Sequence, residues 1–505
     1  MGTLENDVRP SPEACGSPGR ERRPGRVSLS LAVLLCGVLP PMATFGAQAQ
    51  AALQRAAALV QEGRLQEADQ QAQLALSDPA TRAAACSVLG AIRVQQDRLD
   101  EGAELLQEAI GLDPHLLGAR LNLAQLYTEK GNYKRSLELA KPALVAFKQS
   151  PEGLFVLATD FLKMGDRSSA KALLEDSRRL RDVPPGWRVN FAELLVKGGL
   201  VAEGIGVLER AREADASSYE LAFALGGALV VKGDPARALE AYDLALGLKP
   251  ASVTALRQAA AVAERQGELE RSLSYWMRAK KLAADDPEIL LGFGRVCLKM
   301  DLLEDAEPAL VSAAALRPGE PAYQYTLAVA KVGKKQYEAA QGLLEPLLEK
   351  KPDDAQLQYA LGSVLYMQGK LAEAAARLRE SLRLESEQLA SHYYLALVDR
   401  DQGHDAEAIG RLENLLRHYP DHAASCEALG GLMINGRRYA EAERLLRRAV
   451  ELNPKSVKAN YQLGLLLART GRREEADKQL AMAKSLREED DATSRLQLRL
   501  LDPDP

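Results

Sequence analysis

Few side chains in this sequence stand at spacings that serve chemistry. Ser168 and Lys171 have the S-x-x-K separation in which a lysine assists a serine nucleophile. They fall at the start of a predicted helix, without the companion motifs of such hydrolases, and read as solvated helix surface. His418 and His422 have an H-x3-H spacing, which holds zinc when both rings project from one side. Pro420 and Asp421 put them in a loop instead, where the rings need not converge. No Walker phosphate loop, GxGxxG fingerprint or GxSxG elbow occurs. Cys15, Cys36, Cys86, Cys297 and Cys426 show neither CxxC pairing nor metal spacing. The expectation is a protein that is not an enzyme, with no catalytic residue, no metal and no cofactor.

Composition narrows the class further. A chain of 505 residues with 47% hydrophobic and 27% charged side chains is long enough for several cores and too apolar to be disordered. Lys and Arg number 65 against 70 Asp and Glu, a net charge of −5, which argues against a dedicated nucleic-acid binder. Aromatic residues make up only 5% of the chain, few for aromatic-rich recognition. No small-molecule substrate is expected, and Trp187 and Trp276 read as packing residues.

The first fifty residues differ from the rest. A polar stretch ends in the basic run Arg20, Arg22, Arg23 and Arg26; Val27 to Leu39 is apolar, and Ala47-Gln48-Ala49 is a small-residue site. That order is the one of a secretory signal, and an apolar run of this length is short for a membrane span of about 20 residues. Residues 1–49 are therefore predicted to be a signal peptide cleaved after Ala49, or else a signal anchor giving membrane attachment. Cys86, Cys297 and Cys426 then remain, an odd number far apart in sequence, and fit buried free thiols better than a disulfide framework.

Internal repetition decides the architecture. From Ala49 to Asp490 a frame of 34 residues repeats thirteen times without insertion or deletion. The eighth position of the frame is Ala or Gly in every repeat, and the twentieth is Ala, Gly or Ser. The fifteenth is Gly in nine of the thirteen, and the thirty-second is Pro in six. Apolar spacing on either side of the glycine is helical, as in Ala238-Leu239, Tyr242, Ala245-Leu246. Each unit thus predicts helix A, a tight turn where glycine supplies positive φ, helix B, and a loop closed by proline. Small residues at the eighth and twentieth positions let A and B approach closely.

These columns resemble the tetratricopeptide repeat family, whose pattern W-x2-L-G-x2-Y, A-x3-F, P is read best in Leu361-Gly362 with Ala374 and Leu378, and in Leu225-Gly226, Ala238, Tyr242 and Pro250. The family's Trp is missing throughout, and its Tyr slot, the eleventh position, holds Arg93, Lys331 and Asp399 in three repeats. The resemblance implies an all-α, right-handed superhelical solenoid of about thirteen helix-turn-helix repeats over residues 50–490, with helix A lining a concave groove. Residues 491–505 are expected to be a capping segment, through Leu496, Leu498, Leu500 and Leu501, and a tail.

Periodicity then selects groove residues. With the third, seventh and eleventh positions of helix A in the core, the second, fifth, ninth, twelfth and thirteenth face outwards. The fifth position holds Phe155, Phe223, Tyr325, Tyr359, Tyr393 and Tyr461, an aromatic ladder suited to an extended peptide or partner helix, or else packing between neighbouring A helices. The thirteenth holds Lys163, Lys197, Arg265 and Lys299, with Arg257 and Arg295 nearby, opposed by Glu152, Glu193, Glu264 and Glu288. That row either docks an acidic partner or is ordinary solvated charge. The functional expectation is an exported scaffold, periplasmic or envelope-associated, that binds other proteins or peptides. Two rivals are a membrane-anchored subunit of a secretion, pilus or polysaccharide export complex, and the partner of a separate enzyme such as a glycosyltransferase.

Overall fold

The computed structural model describes residues 44–181, 183 and 186–500, and side chains within 46–488 of these. The predicted basic and apolar parts of the signal lie outside the described residues. Helix Thr44–Gln61 runs across the expected cleavage site, and Ala49 is buried on it. No helix among the described residues is long and apolar enough to cross a membrane.

The described residues form helix pairs, without strands, in the register read from the sequence. In all thirteen repeats helix B begins at the seventeenth position, from Leu65, Leu99 and Tyr133 through to Leu371, Asp405, Tyr439 and Arg473. From the seventh repeat onward helix A begins at the first, at Val253, Pro287, Pro321, Ala355, Leu389, Ala423 and Val457. The fifteenth position explains this constancy. All nine glycines there have positive φ, and so do the four residues that replace glycine: Asp97 (66°), Asp301 (58°), Lys335 (59°) and Arg437 (57°). The turn demands a left-handed residue whatever the side chain, and those four bear the strain.

The small-residue columns are points of close approach. Every residue at the twentieth position is buried. A Cβ added to Gly362 would stand 2.9 Å from Leu378 Cγ, and one added to Gly226 would stand 2.6 Å from the Tyr242 ring. Leu378 and Tyr242 both occupy the twenty-fourth position, so helix B lays a bulky side chain over the eighth residue of helix A. Polar side chains close the joints between repeats. Ser150, Ser218, Asp286, Asp354 and Ser456 cap the helix A that follows them. At the fourth position, Arg120 donates to the Pro114 carbonyl (2.8 Å), Gln358 to that of Pro352 (3.0 Å) and Asn460 to that of Pro454 (3.0 Å). These side chains are buried, and the bonds satisfy donors that would otherwise be costly in a core.

The three departures from the family's Tyr slot each meet an opposite charge. Arg93 reaches Asp69 at 2.6 Å, Lys331 is ion-paired with Glu307, and Asp399 accepts from Arg411 Nε at 2.5 Å. Cys86, Cys297 and Cys426 are buried free thiols, as expected from their number and spacing. Burial, with a contribution from Asp305, pushes the Cys297 thiol up to about 12, far from a reactive thiolate.

Two compact units divide the chain within helix Val253–Arg265, one ending at Val262 and the other beginning at Ala263. In each, consecutive A helices touch along one side: Arg82–Gln95 meets Leu117–Glu129 in the first, and Ala355–Met367 meets Leu389–Asp401 in the second. The first unit contains the main irregularity. Helix B of the third repeat breaks into Tyr133–Ala140, a 3-10 turn Lys141–Ala143 and Leu144–Lys148. At the far end of the second unit, helix Arg473–Leu500 continues unbroken into the expected capping segment. The side chains of Leu496, Leu498, Leu500 and Leu501 lie outside the described residues.

Candidate protein-binding surface

The positions assigned to the core hold that role. Among third-position residues Leu221, Ile289 and Leu357 are buried, and among seventh-position residues Leu225, Leu361 and Leu429 are. The fifth position is a seam between neighbouring A helices, and its aromatics are not equivalent. Tyr359 is buried, with its ring centroid 5.9 Å from that of Tyr394. Tyr325 is half-buried and its hydroxyl accepts from Gln356 at 2.9 Å. Tyr393 is half-buried, edge-on to Tyr394 (5.7 Å) and to His422 (5.4 Å). Phe155 is half-buried, and Phe223 stacks on Tyr219 at 5.7 Å. Tyr461 alone of the six is exposed, at 51%. Burial raises the hydroxyl pKa of Tyr325, Tyr359 and Tyr393, as removal from water does to any group that ionises to an anion. In the tenth and eleventh repeats, then, the ladder is chiefly joint packing.

The cationic row is more open. Lys197 lies 3.3 Å from Glu193 and is largely exposed; Lys163 and Arg265 are exposed, while Arg257 is half-buried. Arg295 and Lys299, one turn apart on helix Pro287–Lys299, converge on Glu264. Arg295 donates through Nε to Oε1 (2.8 Å) and through Nη2 to Oε2 (2.7 Å), and Lys299 Nζ lies 2.9 Å from Oε1. The carboxylate is only 6% exposed, whereas the two cations are 45% and 50% exposed. Burial pushes the Glu264 carboxyl up, but the two cations outweigh it and hold it below the usual carboxylate range. A buried anion thus fixes the positions of two half-exposed cations on the A-helix side, and this cluster carries an excess of positive charge.

A second polar cluster was not singled out in the sequence. Tyr366 Oη donates to Asp401 Oδ2 (2.7 Å), Arg400 Nε donates to Asp401 Oδ1 (2.7 Å), and Arg400 Nη2 donates to Tyr366 Oη (3.2 Å). Burial pushes the Asp401 carboxyl up, and Arg400 with the Tyr366 hydroxyl more than reverses it. Tyr366 and Arg400 stand at the twelfth position and Asp401 at the thirteenth, so the periodicity that chose the cationic row was also the signal for this cluster.

The motifs weighed for catalysis are occupied otherwise. Lys171 Nζ pairs with Glu203 at 2.6 Å. His418 Nδ1 faces its own helix at the Asn414 carbonyl (2.9 Å), and His422 Nδ1 faces Ser425 Oγ (2.6 Å). Among the described residues no group of His, Cys, Asp and Glu is placed to hold a metal ion. Trp187 and Trp276 are buried, as expected, and Trp187 donates to the Pro151 carbonyl at 3.0 Å.

Paired helices repeating in one register, with polar and aromatic side chains along the A helices, define a helix-pair solenoid of the interaction class. Family profiles described as tetratricopeptide repeat match residues 93–158, 189–253, 325–388 and 432–500, more than half of the chain. The chain belongs to the tetratricopeptide repeat family. It is 25% identical over 122 residues to the TPR repeat-containing protein YpiA of Bacillus subtilis, a stretch that is 24% of this chain and 29% of that protein. The structure of the Cut9–Hcn1 hetero-tetramer of APC/C matches 90% of this chain and 97% of its own at 12% identity, with a TM-score of 0.42. Yeast Tom70 matches 89% and 99% at 15% identity, with a TM-score of 0.36.

Proposed function

We propose that this chain is an exported protein-interaction scaffold, periplasmic or envelope-associated, whose A-helix side holds extended segments or helices of partner proteins. Tetratricopeptide repeat proteins mediate protein–protein interactions, and this chain has their repeats over most of its length. The observation that favours the A-helix side is the Glu264–Arg295–Lys299 cluster. Two half-exposed cations held by a buried carboxylate lose little side-chain freedom on meeting a partner's carboxylate, so less of the contact energy is spent on ordering. Export is supported by the order of basic run, apolar run and small-residue site in residues 20–49.

A photo-crosslinking residue at Lys299 tests the binding side against one at Val311, an exposed position on helix B of the same repeat. Discrete adducts in the envelope fraction are expected from Lys299 and not from Val311; equal yields from both would overturn the assignment of sides. N-terminal sequencing of the exported chain should begin at Gln50. Retention of an uncleaved chain in carbonate-washed membranes would overturn the cleaved signal and favour an anchor.

A further inference from the structure

The irregular third repeat ends beside a cleft whose lining differs from that of the cleft at the same frame positions between the tenth and eleventh repeats, where Glu387 and Glu407 contribute carboxylates. Pro142 has no N–H to continue the helix. Pro346 stands at the same frame position in the ninth repeat, yet its helix runs on from Tyr337 to Lys350. The difference lies five residues beyond the proline. Phe147 is fully buried, and its backbone lies so close to Gly153 that a Cβ there would stand 2.4 Å from the Phe147 carbonyl oxygen. The corresponding residue of the ninth repeat, Lys351, is an ordinary helix end. Anchoring Phe147 swings Leu144–Lys148 against the helices of the fourth repeat and turns Val145 outwards, where it is 69% exposed.

Between this segment and the end of helix Arg167–Arg179 lies a cleft of about 540 Å3. Val145 supplies exposed apolar surface, with the buried Leu180 behind it; Lys148, Arg179 and Arg181 supply positive charge; and among the described residues Asp176 is the one carboxylate in the lining. Asp176 Oδ2 lies 3.1 Å from Lys148 Nζ, and Arg179 and Arg181 are both exposed. In frame terms the lining comes from where helix B ends and the next helix A begins, away from the positions that carry the cationic row and the tyrosines. A surplus of cations around exposed apolar surface is complementary to a carboxylate-rich segment bearing a large aliphatic side chain.

The geometry points to this cleft as a second docking site, one that takes an acidic peptide segment of a partner protein with a leucine-like side chain seated against Val145 and Leu180. It would let the scaffold hold one partner on its A-helix side and another at this edge, so that two weak contacts combine into one tighter assembly.

Fluorescence anisotropy on the full chain tests the site with a labelled probe of sequence Asp-Glu-Leu-Asp-Glu-Leu. Controls are a peptide with serine for leucine and one with lysine for the acidic residues. Binding is expected for the first peptide only, weakening as salt screens the charges. The Arg179→Glu/Arg181→Glu variant should weaken it by roughly tenfold or more, and Arg179→Lys/Arg181→Lys should largely retain it. Val145→Ser should also weaken it. Circular dichroism identical to the parent shows that these exposed substitutions leave the helices folded. Equal affinity of parent and charge-reversed chains, or no binding of the acidic leucine peptide, would overturn the site. Equal affinity for the serine peptide would overturn the apolar seat. Since neither Arg295 nor Lys299 is altered, these outcomes are independent of the A-helix proposal.

Discussion

Arg411→Met should be among the more destabilising single substitutions in the second unit, and a second substitution should undo most of the damage. Asp399 lies on helix Leu389–Asp401 with its side chain 6% exposed, and Arg411 Nε on helix Asp405–His418 is 2.5 Å from its Oδ2. Methionine keeps much of the apolar stem of arginine but strands the carboxylate in the joint between the two helices. Breaking a buried pair from one side costs about 3–5 kcal/mol. Because Arg411 is itself 36% exposed and water can reach the site, the lower end, about 3 kcal/mol, is expected. Asp399→Leu/Arg411→Met removes both charges and restores an apolar eleventh position, as Leu229, Leu365 and Leu467 already provide; it should lie within about 1 kcal/mol of the parent. A long repeat array does not unfold in one step, so the suitable assay is native-state hydrogen exchange of these two helices. Exchange in the single variant should speed up by roughly a hundredfold, and in the double variant by no more than about fivefold. If Arg411→Met exchanges no faster than the double variant, the carboxylate is not held by that arginine and the reading of the eleventh position fails.

Lys335→Gly and Arg437→Gly should each stabilise their repeats by about 0.5–1 kcal/mol, the left-handed strain relieved less the entropy glycine loses, read as a higher urea midpoint. Asp160 is fully buried, and Thr128 donates to it at 2.7 Å. Burial raises its pKa to about 6. Its folded pKa lies above the ordinary 3.8, so its neutral form favours the fold below about pH 4, and that favour is lost as pH rises through 6. A rise of about two pH units corresponds to roughly 3 kcal/mol, so Asp160→Asn should stabilise the first unit at pH 7.5 by up to that amount and far less at pH 4, in paired denaturation curves. Gly226→Ala should cost about 1–3 kcal/mol, since its new methyl group would meet the Tyr242 ring at 2.6 Å; so should Ala238→Leu, at a fully buried contact. An unchanged thermal midpoint in either would contradict the frame.

The helix register could be read from the sequence because it depends on residues within one repeat. Glycine at the fifteenth position and small residues at the eighth and twentieth act over a single turn or a single helix pair, and their spacing survives in the linear order. Which fifth-position aromatics are exposed could not be read in this way. Tyr359 and Tyr461 occupy the same position, yet one is buried and the other half in water. The difference lies in what the neighbouring elements lay over each ring. The Glu264–Arg295 pairing joins residues 31 apart, and the sequence showed both members without showing that one would be buried beneath the other. Repeat three is a sharper case: Pro142 and Pro346 are equivalent in frame and in chemistry, yet one helix breaks, with Phe147 buried beyond it, and the other runs on.

The charged residues at the eleventh position show how a repetitive chain can still order its units. Most joints offer similar apolar surfaces, and surfaces of that kind tolerate exchange of one partner for another. Arg93 finds its anion in Asp69, and Lys331 in Glu307, each at the twenty-first position of the preceding repeat. Placed after the fifth, sixth, seventh or eleventh repeat, the same cation would meet Ile205, Leu239, Leu273 or Ile409 in place of that anion. Loss of one partner of a buried pair is costly even where the pair itself adds little over an apolar contact, so such pairs work by penalising wrong neighbours more than by rewarding right ones. Arg93 and Lys331 are thus sites where sequence difference between repeats is converted into a preferred order of stacking, whereas Asp399 pairs within its own repeat.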